Sequence, residues 1–168
     1  MIFMSQSGLS DPGREKEWDA WYVEHLRTLV TVPGISSAQR FKTVSRGSSP
    51  SLAMYTIASA EVFGDPYFQS VRGMSDWLPL IQKQHYRRNL FEGLDTAPDV
   101  PDDCVLIVAD REGPAELPGP TLTWLKTVGL DRSTSYRGIA VVTRTAAEAF
   151  TGYGVGVYRP AGARTVQR

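Results

Sequence analysis

The chain has 168 residues, 42% of them hydrophobic and 21% charged, the balance of one globular domain or of two small halves sharing a core. Such a chain buries about 70% of its unfolded surface and needs no metal or disulfide to hold it. Eighteen Lys and Arg offset eighteen Asp and Glu, ten of each sign in residues 1–95 and eight in 96–168, which argues against a basic arm and against nucleic acid as a partner.

Met1 to Gln6 reads as a short apolar strand, broken by Ser7, Gly8 and the Ser10–Gly13 stretch. A helix is expected over Arg14–Val32. Trp18, Tyr22, His25, Leu26, Leu29 and Val30 recur at three- and four-residue spacing, acids crowd its first turns, and Pro33-Gly34 stops it. Ile35–Val44 and Leu52–Ala58 read as a hairpin around the polar Arg46–Pro50 turn. Ala60–Val71 reads as a second helix broken near Gly64-Asp65-Pro66. His85–Leu94 reads as a fourth strand, with helix an open alternative. The order βαββαβ is the split βαβ of ferredoxin-like folds.

Residues 96–103, with Pro98 and Pro101, form a linker, and residues 104–168 a partial second repeat packed on the same core. In that half, strands are expected over Cys104–Ala109, Tyr136–Thr143 and Tyr153–Tyr158, and a short helix over Leu122–Val128. Leu29–Val44 and Leu125–Val142 share a layout of helix end, glycine, polar turn and strand, with Arg40-Phe41 matched by Tyr136-Arg137.

Other classes are excluded or disfavoured. The one cysteine, Cys104, permits no internal disulfide, and it sits in an apolar run where a buried structural thiol belongs. The start MIFMSQSG has no basic region ahead of a long apolar run, so no signal peptide is read there. No apolar run approaches the roughly 18 residues of a membrane span, and the expected compartment is the cytoplasm. Two histidines and one cysteine do not assemble a zinc site of the usual kind, and no metal is expected. Gly152–Gly156 leads into a strand, not a helix, so it lacks the helix N-terminus of a phosphate loop.

The segment EWDAWYVEHLRTLVTVPGISSAQRF, Glu17–Phe41, resembles the signature of EthD-like proteins of the dimeric α/β-barrel superfamily. The matching elements are Asp19, Trp21-Tyr22, His25-Leu26, Val32-Pro33-Gly34 and Arg40-Phe41. The resemblance covers about residues 1–95, and the second half lacks the WYxxH element. It implies an α+β fold: a ferredoxin-like βαββαβ unit plus a second β-rich repeat, with antiparallel sheets forming a barrel, usually from two chains. It also implies a ligand cavity between sheet and helices. A homodimer is expected, because a single such unit leaves one sheet face in water at about 25 cal/mol per Å² of apolar area.

His25 lies in the apolar stripe of the first helix and so faces the sheet, where an imidazole can exchange a proton near neutral pH or serve as a hydrogen-bonded core residue. Tyr22, three residues away, shares its face and can orient it or donate to a substrate oxygen. Arg40 and Tyr55 on neighbouring strands are candidate substrate contacts, Arg40 neutralising a carboxylate or enolate or else pairing with Asp19 or Glu24. Trp77, His85 and Asn89 complete the candidate pocket, His85 as a second acid or base. The reading is a cofactor-free enzyme doing isomerase-, lyase- or cyclase-type acid–base chemistry on a small carbonyl-containing or cyclic molecule. The alternatives are a non-catalytic protein binding a small ligand, and a haem protein with His25 as axial ligand.

Overall fold

The structure is a computed structural model and describes residues 1–168. The first half runs β1 (Ile2–Ser7), α1 (Glu15–Leu29), β2 (Ile35–Thr43), β3 (Ser51–Ile57), α2 (Pro66–Val71) and β4 (Arg87–Glu92). The second half runs β5 (Cys104–Arg111), β6 (Thr123–Leu130), β7 (Tyr136–Thr143), α3 (Arg144–Ala147), β8 (Gly156–Pro160) and β9 (Thr165–Val166). No helix is long and apolar enough to cross a membrane.

Local chemistry sets the helix ends. Glu15 and Glu17 occupy the first turn of α1 and Arg27 the last, each favoured by the helix dipole. The buried stripe is Trp18, Tyr22, Leu26 and Leu29. Gly34 follows at φ +87°, and a Cβ there would stand 2.7 Å from a Val62 methyl, so conformation and space both call for glycine. α2 starts at Pro66, with the Asp65 carboxylate accepting the Phe68 N–H.

All strand pairings are antiparallel, in the order β3-β1-β4-β6-β7-β5-β8-β2. β2 then pairs with β3 and closes an eight-stranded barrel, with β9 a short addition on β2. Counted from the start of each half, both halves read 2-3-1-4. β4 joins β6 at one seam and β8 joins β2 at the other. One chain thus closes its own barrel. The sheet face that gave the ground for expecting a second chain is the barrel interior.

One element differs in kind. The expected helix over Leu122–Val128 is β6. Leu125 and Thr127 are buried while Trp124, Lys126 and Val128 between and beside them are more open, a period of two that a segment this short, with four apolar residues in seven, does not separate from a helical one. Tertiary pairing decides it: a helix here would leave the edges of β4 and β7 unpaired. The proposed repeat alignment shifts as well. Arg40 lies on the second strand of its half and Arg137 on the third, so the two are not equivalent.

Strand alternation sends successive residues to opposite faces. Ile2, Met4, Phe41, Leu52, Met54, Phe91, Leu106, Leu125 and Tyr158 fill the barrel. Phe3, Ala38, Ala53, Tyr55 and Leu90 face outward beneath α1 and α2. The outer face of the second half is covered only by a loop, α3 and the turn after it, through residues such as Leu122, Ala147 and Phe150.

The barrel also contains an ion pair. Arg137 is fully buried, donates through Nε and Nη2 to the two Asp110 oxygens at 2.7 and 2.8 Å, donates to Gln6 Oε1 at 2.9 Å, and lies 5.1 Å from the Phe91 ring centre. Asp110 is 42% exposed at the barrel mouth, but removing it leaves the buried Arg137 charge without its counterion. Asp110→Ala should therefore destabilise the protein by about 2 kcal/mol in urea unfolding, less than for a fully buried pair because water reaches the Asp110 side, and a loss under about 0.5 kcal/mol would show that the pair does not anchor the barrel.

Candidate functional site

A cavity of about 290 Å³ lies between the outer face of the first-half sheet and its helices. Phe3 and Ser5 of β1, Tyr55 of β3 and Arg88 of β4 form its floor. Tyr22, His25 and Leu29 of α1 make one wall. Phe63, Phe68, Gln69, Arg72 and Met74, around α2, make the other. Tyr86 and Leu130 complete the lining. No carboxylate lines the cavity, while two arginines do.

His25 is half-buried and its ring lies flat on Trp21, 4.6 Å between centres at 14°. Tyr22 meets it edge-on at 5.8 Å. Neither imidazole nitrogen bonds to the protein, and no acid is close enough to hold a proton on the ring. Burial alone lowers its pKa from 6.5 to about 4, so His25 is neutral at physiological pH. Tyr22 and Tyr55 are almost fully buried. Burial pushes both phenols up, with the Arg40 charge pulling partly the other way, so both keep their protons and serve as donors.

The structure brings three of the seven candidate residues together, Tyr22, His25 and Tyr55. The other four lie elsewhere. Arg40 sits behind Tyr22, its guanidinium 4.2 Å from that ring and 4.6 Å from Trp18. It donates to Asp19 at 2.7 Å and to Ser51 at 3.1 Å, the ion-pair alternative. Partial burial pushes the Asp19 carboxyl up, but hydrogen bonds from Lys42 and Arg40 outweigh it and hold the group below its ordinary value. Trp77 packs beneath Arg14 and near Trp21, outside the cavity. His85 is half-buried on a single turn before β4. Asn89 points into the barrel, bonding Ser133 through both ends of its amide. Cys104 is half-buried at the start of β5, its thiol pushed up by burial and by Asp103.

Sequence reasoning missed Tyr86, Arg88, Arg72 and Gln69. Period-two alternation from Leu90, which packs under the helices, would have placed Arg88 on the same outward face. Arg72 and Gln69 come in through the fold-back of α2, which carries no spacing signal.

No protein-family model matches the chain, and no curated protein matches it. Two solved structures share the barrel over nearly the whole chain. One is an anthrone oxidase-like protein, 13% identical, with a TM-score of 0.60 over 99% of this chain and 92% of that one. The other, from Lactobacillus acidophilus, is provisionally described as a monooxygenase; it is 8% identical, with a TM-score of 0.55 over 99% of this chain and 96% of that one. At these identities the likeness shows a common barrel fold.

The histidine gives a signed pH effect. Its folded pKa lies below the unfolded value, so between pH 6.5 and 4 the unfolded state binds more protons. The contribution is complete above pH 6.5 and is lost as pH falls toward 4, at up to about 1.4 kcal/mol per pH unit. Urea unfolding of the parent and His25→Asn across this range should give curves that converge as pH falls. Parallel curves would mean that His25 titrates normally.

Proposed function

We propose that the protein is a small-molecule enzyme that removes a proton from carbon in a flat cyclic ketone or phenolic substrate. The observation that carries this reading is a neutral, unpartnered imidazole in an acid-free cavity, with the protonated phenol of Tyr22 beside it on the same wall and that of Tyr55 in the floor. His25 accepts the substrate C–H proton, and the C–H electron pair moves onto the carbonyl oxygen. Tyr22 and Tyr55 donate hydrogen bonds to the resulting enolate oxygen. The transfer creates an imidazolium–enolate pair whose attraction in a dry site offsets the weak basicity of buried His25. Arg72 adds positive potential with no carboxylate in the lining to cancel it, and Arg88 adds a smaller share because Asp131 lies 3.7 Å from its guanidinium.

The enolate has two onward routes. Reprotonation at another atom is isomerase chemistry. Reaction with dissolved O2 turns a ring CH2 into a ketone, one oxygen atom entering the product and the other leaving as water. The oxidase-like and monooxygenase-like structural neighbours favour the second route. The WYVEH segment and the strand order 2-3-1-4 support the EthD-like, ferredoxin-like reading of the first half. A haem with His25 as axial ligand is less well supported: about 290 Å³ is at the bottom of the range for ligand pockets and suits a few fused rings better than a tetrapyrrole. Addition of haem without a Soret shift would remove that reading.

Anthrone, a three-ring ketone with an acidic CH2, is the test compound. The parent should accelerate its oxygen consumption. His25→Asn, folded by circular dichroism, should lose about 10²-fold or more in kcat, because an amide does not take up a proton at neutral pH. A folded His25→Asn protein with full turnover would end the assignment. Anthrone binding with oxidation at the uncatalysed rate would mark a ligand-binding protein instead.

A further inference from the structure

A second concavity, of about 370 Å³, lies on the opposite side of α1, between that helix, β2, β8 and the segment leading to β9. Five cations from four parts of the chain line it: Arg27 of α1, Arg40 and Lys42 of β2, Arg159 of β8 and Arg164. Asp19 is the one acid in the lining, and it is shared between Arg40 and Lys42. Lys42 also reaches Glu15 at 3.0 Å, and Arg27 pairs with Glu24. Three carboxylates therefore answer five cations, a surplus of two positive charges. The uncompensated groups are Arg159, whose side chain makes no hydrogen bond or ion pair to the protein, and Arg164, whose Nη2 donates only to the neutral Ser37 hydroxyl at 3.0 Å. The rim between them is Ala161-Gly162-Ala163, where small side chains leave the backbone open to close approach.

We propose that this groove binds the phosphate group of a small phosphorylated molecule. The charge count selects the chemistry. A phosphate monoester carries about −1.5 to −2 at pH 7, matching the surplus of two, and guanidinium forks suit its oxygens. An apolar or cationic ligand would gain nothing from this lining. The site is separate from the His25 cavity, since no residue lines both.

The test is thermal unfolding of the full chain with inorganic phosphate and pyrophosphate, ionic strength held constant with chloride. A ligand of the folded state raises Tm saturably. Arg159→Gln/Arg164→Gln should weaken the apparent affinity at least tenfold, and the exposed single variant Arg159→Gln should weaken it by a smaller factor. Lys83→Gln/Lys126→Gln, with the same change in net charge, should leave it unaltered. No saturable shift beyond chloride, an equal loss in the Lys control, or an undiminished shift in the Arg double variant would each overturn the proposal. Malonate binding as tightly as pyrophosphate would overturn the phosphate assignment.

Discussion

Closure of the barrel within one chain is the constraint on which the rest of the structure depends. Eight antiparallel strands leave no sheet edge open apart from the short β9 addition, and every strand acquires one inner and one outer face. The inner face is committed to packing. The outer face needs its own cover, and the two halves supply different amounts. The first half has the fifteen-residue α1 and the folded-back α2, and the second has a loop and the four-residue α3. A cavity with one wall of α1 forms only where the cover is deep enough to hold space beneath it. The cavity proposed as the ligand site thus lies on the outside of the barrel.

The same alternation sorts the polar groups. Arg137 and Arg40 are both buried arginines on strands, with opposite surroundings. Arg137 points inward, gripped by Asp110 and Gln6. Arg40 points outward, under the rings of Trp18 and Tyr22, with Asp19 of α1 as counterion. Arg40 thereby ties the helix to the sheet and sets the plane of Tyr22 behind the cavity. His25, one turn further along α1, has no such partner. Desolvation acts on it unopposed and keeps it neutral. One helix–sheet interface thus holds a tightly bound structural arginine and an unclaimed imidazole, the one supporting the fold and the other free for the proposed chemistry.

Much of this was legible in the residues. The stripe Trp18–Tyr22–His25–Leu29 names the buried face of α1, and that face brings Tyr22 and His25 to the cavity beside Tyr55. The strands of the first half follow from alternation and turn chemistry. What failed had physical causes. Leu122–Val128 carries no local signal that separates strand from helix, and only the waiting edges of β4 and β7 settle it. Asn89 sits on β4 but turns into the barrel, since a strand residue's face depends on register. Trp77 and His85 are near in sequence to the cavity wall, but the chain path between α2 and β4 carries them past it. Arg72 reaches the cavity through that same path.

In the proposed reaction, ligand chemistry takes place beside His25, outside the barrel, with Tyr22 and Tyr55 facing the reacting oxygen. The most direct measurement is a crystal structure of the protein with anthrone bound without oxygen. Density is expected between α1 and the sheet, with the ketone oxygen within hydrogen-bond reach of the Tyr22 or Tyr55 hydroxyl and the CH2 carbon turned toward His25. Anthrone lodged among Met4, Phe91 and Leu125 inside the barrel, with the His25 cavity unchanged, would contradict it.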